Sequence, residues 1–511
     1  MNFSEVIAHH AERFAARPAL STAEQEVTYA ELRDRMHACA GALRELGVGR
    51  GDVVGVLLYN RLELLDLLCA CAHLGAIFMP LNWRLTGPEL AYIVDHAQAA
   101  VVVSEPELEA RLAAVREAPA QRRWVRIGAA GDGWLSLAGL IAAAAPVADA
   151  EPVDGDDVMR LMYTSGTTAR PKGVMITHAN LLWKCTAHVV ELEMHAGDRG
   201  LACGPLYHVG ALDMTTTNML YVGASTHLLP RFDVVPVLEE IERRKITNLW
   251  LAPAMVNALL ASDELGRRDL RSVRLLLDGG EKMPLPLIER VTAAFPNAWF
   301  GDAYGLTETV SGDTYLDKGA LLDKLGSVGK PVMHTRIRVV DPEGRPVPAG
   351  EHGEIVVSGP KVCKGYWRDP EATAAALRDG WLHTGDVGML DEDGYLFVVD
   401  RLKDMIVSGG ENIASPEVER VLYEHPAVLE AAVVGAPDPR WNEVPVAYVV
   451  LREGAEAEPA ALDAFCRERL AAYKTPKAFR FVDALPRNPS GKVLKRVLRD
   501  REPPTDDERP A

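Results

Sequence analysis

The sequence predicts a multidomain α/β and α+β protein: a large N-terminal domain of two α/β subdomains with a small β-module, followed by a small α+β C-terminal domain. Three observations carry this. The chain has 511 residues, too many for one hydrophobic core. Apolar strand patterns alternate with helical ones on both sides of a loop at 163–178, as in a largely parallel sheet covered on both faces. From about residue 329 the pattern changes to short strands and turns, which reads as an antiparallel module. The domain boundaries drawn from this are 1–400, 401–500 and a tail at 501–511.

In chain order, an amphipathic helix opens the sequence. Thr28 and Glu31 form a capping box for a helix over 29–46 that stops at Gly47. A buried strand over 53–58 and a helix through Leu62, Leu65, Leu68 and Ala72 follow. The order then repeats: an extended run at 78–81, a helix capped by Thr86 and Glu89, and a strand at 100–103. Gly47, Gly49 and Gly51 imitate a dinucleotide fingerprint but follow a helix, so they are set aside. Residues 105–157 are rich in Ala, Pro and acid and read as a variable connection with a few helices. Beyond the loop a second α/β series has as its landmarks the run at 201–206, strands at 248–252, 273–277 and near Trp299, and helices after Thr215 and over 254–261. Strands at 336–340, 354–358 and 394–399 make up the β-module. The last unit has helices at 416–423 and 462–470 and strands at 430–434 and 446–451. The tail, rich in Pro and acid, reads as disordered.

A formal net charge of -17 argues against nucleic acid as a main partner. The seven cysteines are scattered, with no disulfide framework and no metal spacing. The start is no signal peptide, and no stretch reaches the length of a membrane span, so a reducing cytoplasm is the expected home.

The loop YTSGTTARPKGVMITH, residues 163–178, carries the first chemistry. Gly166 and Gly173 let backbone amides approach an anion, Thr164, Ser165, Thr167 and Thr168 supply short donors, and Lys172 supplies a positive charge. This is a phosphate-holding loop whose spacing differs from the Walker pattern. It resembles the phosphate loop of the adenylate-forming superfamily, which includes acyl-CoA and aryl-CoA synthetases, and the resemblance extends from Thr28 to Lys495.

That resemblance implies a role for each further motif. In FGDAYGLTETV, residues 300–310, Tyr304 stacks on adenine beside Asp302 and Ala303, Thr307 hydrogen-bonds the α-phosphate, and Glu308 holds magnesium, a task that suits a carboxylate. Asp386 in HTGDVG accepts from the ribose hydroxyls, and Arg401 reaches the same sugar. His208 in GPLYHVGAL stands beside the acyl carboxylate. Gly279, Gly280 and Glu281 line the acyl pocket and adenine. Lys492 in NPSGKVLK is the catalytic lysine, bridging carboxylate and α-phosphate. Lys403 marks a hinge about which the small domain moves, bringing Ser408, Gly409 and Gly410 to a coenzyme A tunnel. Taken singly, each motif also has an ordinary reading as a turn, a core histidine or a solvated lysine.

The resemblance thus implies a carboxylic acid–CoA ligase using ATP, magnesium and coenzyme A through an acyl-AMP intermediate. Its acid reads as medium-sized or bulky and hydrophobic, and a homodimer would be unremarkable. Departures from the family pattern keep alternatives open. Ala169-Arg170 stands where the family usually has glycine and a variable residue. If that position needs positive φ, alanine costs roughly 1 kcal/mol. This motivates an enzyme that performs only thioesterification on acyl-AMP supplied by a partner. A stand-alone adenylation enzyme loading a separate carrier protein is the other alternative, and a non-enzymatic binding protein is the last. Glu281-Lys282 stands where smaller residues are common. Asn442 replaces a usual glycine, a mild change if the position is left-handed.

Overall fold

The computed structural model describes residues 2–116, 122–164, 170–279, 285–408, 411–438, 440–487 and 493–500. The chain divides into two compact units, residues 1–337 with 357–382 and residues 338–356 with 383–511. The reading of the tail at 501–511 lies outside the described residues.

The first unit is built on two sheets. One has seven strands in the order Leu135–Ser136, Arg123–Arg126, Val101–Ser104, Val53–Leu57, Ile77–Pro80, Val158–Thr164 and Lys172–Thr177. Its pairings are parallel except for the last, which is a hairpin. Val53–Leu57 and Val101–Ser104 are buried throughout, as their unbroken apolar runs require in a sheet covered on both faces. The helices Tyr29–Glu45 and Gly87–Ala97 begin at the expected capping boxes, with Thr28 and Glu31 and with Thr86 and Glu89 bonding reciprocally.

The second sheet runs Lys330–Pro331, Thr314–Tyr315, Trp299–Tyr304, Leu275–Gly279, Asn248–Trp250, Arg199–Ala202, Ser225–Leu228, Pro18–Ser21 and Glu26–Thr28. Its central strands are parallel, so their carboxyl ends share one edge. The two sheet regions are tied by a fully buried ion pair. Arg160, on Val158–Thr164, donates to both carboxylate oxygens of Asp213 at 3.1 and 2.6 Å. Lys184 Nζ completes the cluster by donating to the Asp213 carbonyl, Thr217 Oγ1 and Asn218 Oδ1.

Several elements differ from expectation. Residues 105–157 are more than a connection: Arg123–Arg126 and Leu135–Ser136 extend the first sheet. Their polar residues hid them: Leu135–Ser136 is a two-residue edge strand, and Arg123–Arg126 beside it buries only Val125 fully, so neither shows much apolar alternation. The strand Ser225–Leu228 and the helix Val234–Arg244 were not anticipated. The helix after Thr215 begins earlier, as a π-helical stretch at Gly210–Thr216.

In the second unit, HTGDVG lies within the strand Trp381–Leu390, which pairs antiparallel with Leu396–Arg401. Farther along, the helix Ser415–Tyr423 and the long hairpin of Val428–Asp438 and Asn442–Leu451 form a small α+β core. Asn442 has φ +72°, the left-handed conformation that asparagine tolerates.

Candidate active site

In the first unit the predicted residues gather along the carboxyl edge of the second sheet, where open parallel sheets bind ligands. The strand Leu275–Gly279 pairs with Trp299–Tyr304 so that Asp278 lies opposite Asp302 and Gly279 opposite Ala303. Gly279 has φ +154°, and a Cβ there would fall 2.6 Å from the Ala303 carbonyl oxygen, so only glycine fits. Asp302, Ala303 and Tyr304 are buried.

His208 follows the strand Arg199–Ala202 on a tight turn. The Gly210 N–H donates to His208 Nδ1 at 3.1 Å, which makes Nδ1 an acceptor and leaves the ring proton on Nε2. The Trp250 indole, from the end of Asn248–Trp250, lies beside the His208 ring with centroids 6.1 Å apart and planes at 23°. Glycines make room for it: a Cβ on Gly210 would meet the indole at 2.5 Å, and one on Gly204 at 2.9 Å. Gly210 therefore does not widen a pocket. The indole takes up that space.

Thr307 and Glu308 sit on a short 3-10 turn, Thr307–Thr309, directly after Trp299–Tyr304. The turn ends in strained backbone, with φ +55° at Val310 and +71° at Ser311. A buried lysine holds it. Lys361 Nζ donates to the carbonyls of Thr309 (2.9 Å), Ser311 (2.6 Å) and Gly312 (3.0 Å) and pairs with Asp313 at 2.6 Å. Sequence reasoning missed this clamp, because nothing in the sequence marks a lysine as interior.

It also missed Tyr366. The Tyr366 hydroxyl donates to Glu308 Oε1 at 2.9 Å, and Lys172 Nζ lies 4.9 Å from the ring centroid. Burial, and next the Glu308 carboxylate, raise the Tyr366 pKa, so the phenol keeps its proton. The segment around it is stitched to both motifs. The Cys363 N–H donates to the Glu308 carbonyl, the Trp367 N–H to the Gly173 carbonyl, and Met175 and Lys364 bond with residues 365 and 175. Its signal in the sequence was the aromatic pair Tyr366-Trp367 after Gly365.

The phosphate loop leaves the hairpin between Thr164 and Lys172, which pair across its mouth. A Cβ on Gly173 would fall 2.9 Å from the Tyr163 ring, so this glycine serves packing. Ser165, Gly166, Thr167, Thr168 and the departure at Ala169 lie outside the described residues, as do Gly280, Glu281 and Lys282.

In the second unit, Asp386 and Arg401 are register partners, and Arg401 Nε lies 3.3 Å from Asp386 Oδ1. Asp386 is buried while the arginine is exposed. The turn before it is fixed by Thr384 Oγ1 donating to the Ile355 carbonyl and by Gly385 N–H donating to Glu354. Lys403 follows two residues after Arg401, and burial lowers its pKa. Ser408 ends the strand Ile406–Ser408 and pairs with Glu411. Gly409 and Gly410 lie outside the described residues. So does Lys492, although Arg487 and Val493 on either side of its loop form a bridge.

Glu308 is a single carboxylate, and among the described residues no cluster of three His, Cys, Asp or Glu side chains stands ready for a metal. That fits magnesium held jointly with substrate phosphates rather than in a cage made by the protein alone. A sheet edge carrying this turn, a hairpin loop with Lys172, and a second α+β unit define an enzyme of the adenylate-forming class. The chain belongs to the AMP-binding enzyme family: the family's main domain matches residues 7–367 and its C-terminal domain matches 417–492. It is 44% identical over 475 residues to a feruloyl-CoA synthase of an Amycolatopsis species, covering 93% of this chain and 94% of that one. It is 39% identical over 500 residues to an indoleacetate–CoA ligase of Aromatoleum aromaticum, covering 98% of each. The structure of o-succinylbenzoate CoA synthetase from Bacillus subtilis with its acyl-adenylate intermediate superposes with a TM-score of 0.88 at 35% identity, covering 98% of this chain and 99% of that one. The chain is an AMP-forming acid–CoA ligase.

Proposed function

We propose that the acid is aromatic and that the residues gathered at the sheet edge divide the work of activating it. The observation that carries the substrate class is the stacked pair of His208 and Trp250 rings, set on glycines at the carboxyl edge of the sheet. A planar acid packs against such aromatic rings with the most contact area. The relatives named for feruloyl, indoleacetate and o-succinylbenzoate groups, all aromatic, support the same class.

In this reading the carboxylate oxygen attacks the α-phosphorus of ATP. A P–O bond forms, the α–β anhydride bond breaks and pyrophosphate leaves. The proton on His208 Nε2 orients the carboxylate, and Thr307 donates to the α-phosphate. Lys172 with Thr164, Ser165, Gly166, Thr167 and Thr168 holds the outer phosphates, and Glu308 holds magnesium. Magnesium supplies charge neutralisation on the phosphate oxygens. Tyr304, with Asp302, Ala303 and residues 279–281, binds adenine, and Asp386 with Arg401 binds the ribose. Lys492 stabilises the charge that builds during attack. The thiolate of coenzyme A then attacks the acyl carbonyl carbon, forming the C–S bond and releasing AMP.

For that second step a mobile domain beginning at residue 401 turns at Lys403 and brings Ser408, Gly409 and Gly410 to the thiol arm. All seven cysteines are free and buried, as suits a reducing cytoplasm. No helix among the described residues is long and apolar enough to cross a membrane. A homodimer belongs to the reading and is checked by sedimentation velocity.

The test is acid-dependent exchange of labelled pyrophosphate into ATP over fatty and aromatic acids, with thioester formation from synthetic acyl adenylates followed in parallel. Exchange with aromatic acids is expected. Exchange with fatty acids alone would overturn the substrate class. Thioester formation without any exchange would mean that this chain performs only the second step.

A further inference from the structure

Trp250 holds a polar group that the roles above leave unused. Its side chain is large, the residue is only 7% exposed, and the indole Nε1 has no hydrogen-bond partner among the described residues. Buried tryptophans normally pair this N–H, because leaving a buried donor unpaired is costly. The residue also stands at the sheet edge where open parallel sheets bind ligands. Trp250 ends a central strand of the second sheet, is the register partner of Leu277, and lies beside His208 at the carboxyl edge.

Its placement is built rather than incidental. The indole is pressed against backbone at Gly204 and Gly210, where any side chain would collide with it at 2.9 and 2.5 Å. Phenylalanine or leucine would fill an apolar wall at that position without bringing a buried donor. The tryptophan brings both the flat face and one N–H.

We infer that Trp250 determines specificity by donating its indole N–H to an oxygen carried on the ring of the aromatic acid, a hydroxyl, methoxyl or carbonyl group, while its face bounds that ring. This rests on the reading that the acid is aromatic. A site that supplies a buried donor discriminates by leaving that donor unpaired when the oxygen is missing. This separates substrates more sharply than apolar contact does.

The experiment compares wild type with Trp250→Phe, which keeps a flat apolar ring and removes the donor. The probes are phenylpropenoic and benzoic acids, unsubstituted or bearing hydroxyl, methoxyl or methyl at each ring position, with kcat/KM for thioester formation as the readout. Dissociation constants for the matching acyl sulfamoyl adenosines are measured alongside. The inference expects wild type to prefer one oxygen-bearing ring position over its methyl counterpart. It expects Trp250→Phe to lose that acid by about ten- to a hundredfold more than it loses the unsubstituted and methyl acids, as for one unpaired buried group. Equal loss for all acids would make Trp250 a wall only and overturn the inference, as would no loss at all. If wild type turns over fatty acids and no aromatic one, the aromatic reading itself fails. If Trp250→Phe fails to accumulate folded, Trp250→His, which restores a ring donor, must keep the preference for the oxygen-bearing acid, and its loss overturns the inference.

Discussion

The Tyr366 hydroxyl donates to Glu308 Oε1 across 2.9 Å, and the same ring lies beneath the Lys172 ammonium at 4.9 Å. One side chain thus orients the carboxylate proposed for magnesium and flanks the cation of the phosphate loop. Tyr366→Phe keeps the ring and removes only the hydrogen bond. Losing an outer partner of a metal ligand weakens metal affinity by about 10- to 100-fold. The magnesium concentration giving half-maximal pyrophosphate exchange is expected to rise about tenfold, while thioester formation from a supplied acyl adenylate stays within twofold. A magnesium titration of both half-reactions checks this, and an unchanged midpoint would remove Tyr366 from the metal site.

Lys361 is the second support. It caps three carbonyls on the turn that follows Glu308 and neutralises Asp313, whose side chain is fully buried. Lys361→Met leaves that carboxylate without its ion pair and releases strained backbone at Val310 and Ser311. Breaking a buried pair from one side costs about 3–5 kcal/mol. Denaturant unfolding is expected to show a loss of that order, and adding Asp313→Leu should recover part of it. A loss below about 1 kcal/mol would mean that the turn holds itself.

Acid sensitivity follows from buried histidines. His178 is fully buried, neither ring nitrogen has a hydrogen-bond partner among the described residues, and burial pushes its pKa down to about 4. The unfolded chain binds this proton near pH 6.5, so between about pH 6.5 and 4 it takes up more protons than the folded one, and stability falls as pH falls. His227, also lowered to about 4 mainly by burial, acts in the same direction. His178→Leu is expected to flatten the fall by at most about 3 kcal/mol at pH 4 relative to pH 7.5. Chemical denaturation of both proteins at the two pH values checks it, and parallel pH profiles would show that His178 contributes nothing.

The sequence disclosed these features unevenly. Capping boxes at Thr28 and Thr86 and unbroken apolar strands such as Val53–Leu57 were readable because the signal is local. The strand Arg123–Arg126 was not, since its arginines mask a strand one place in from the sheet edge. Motif residues with a distinct chemical type, such as Glu308 and Asp386, stood out. Tyr366, Lys361 and Trp250 did not, because their importance comes from contacts across 58, 50 and about 40 positions, which no local pattern encodes. Nor does a glycine's small size say what fills the space it leaves: at Gly210 that space is taken by a tryptophan from another strand.

The strand Pro18–Ser21 is held between Glu26–Thr28 and Ser225–Leu228, with Ser21 bonded to His227, 206 positions later. On a ribosome adding roughly 5–20 residues per second, its partner emerges on the order of 10–40 s after it does. During that wait a strand edge destined for the interior has only its short hairpin neighbour to cover it. The second sheet therefore closes late in synthesis, and the nascent chain is most open to misassociation between the arrival of these two strands.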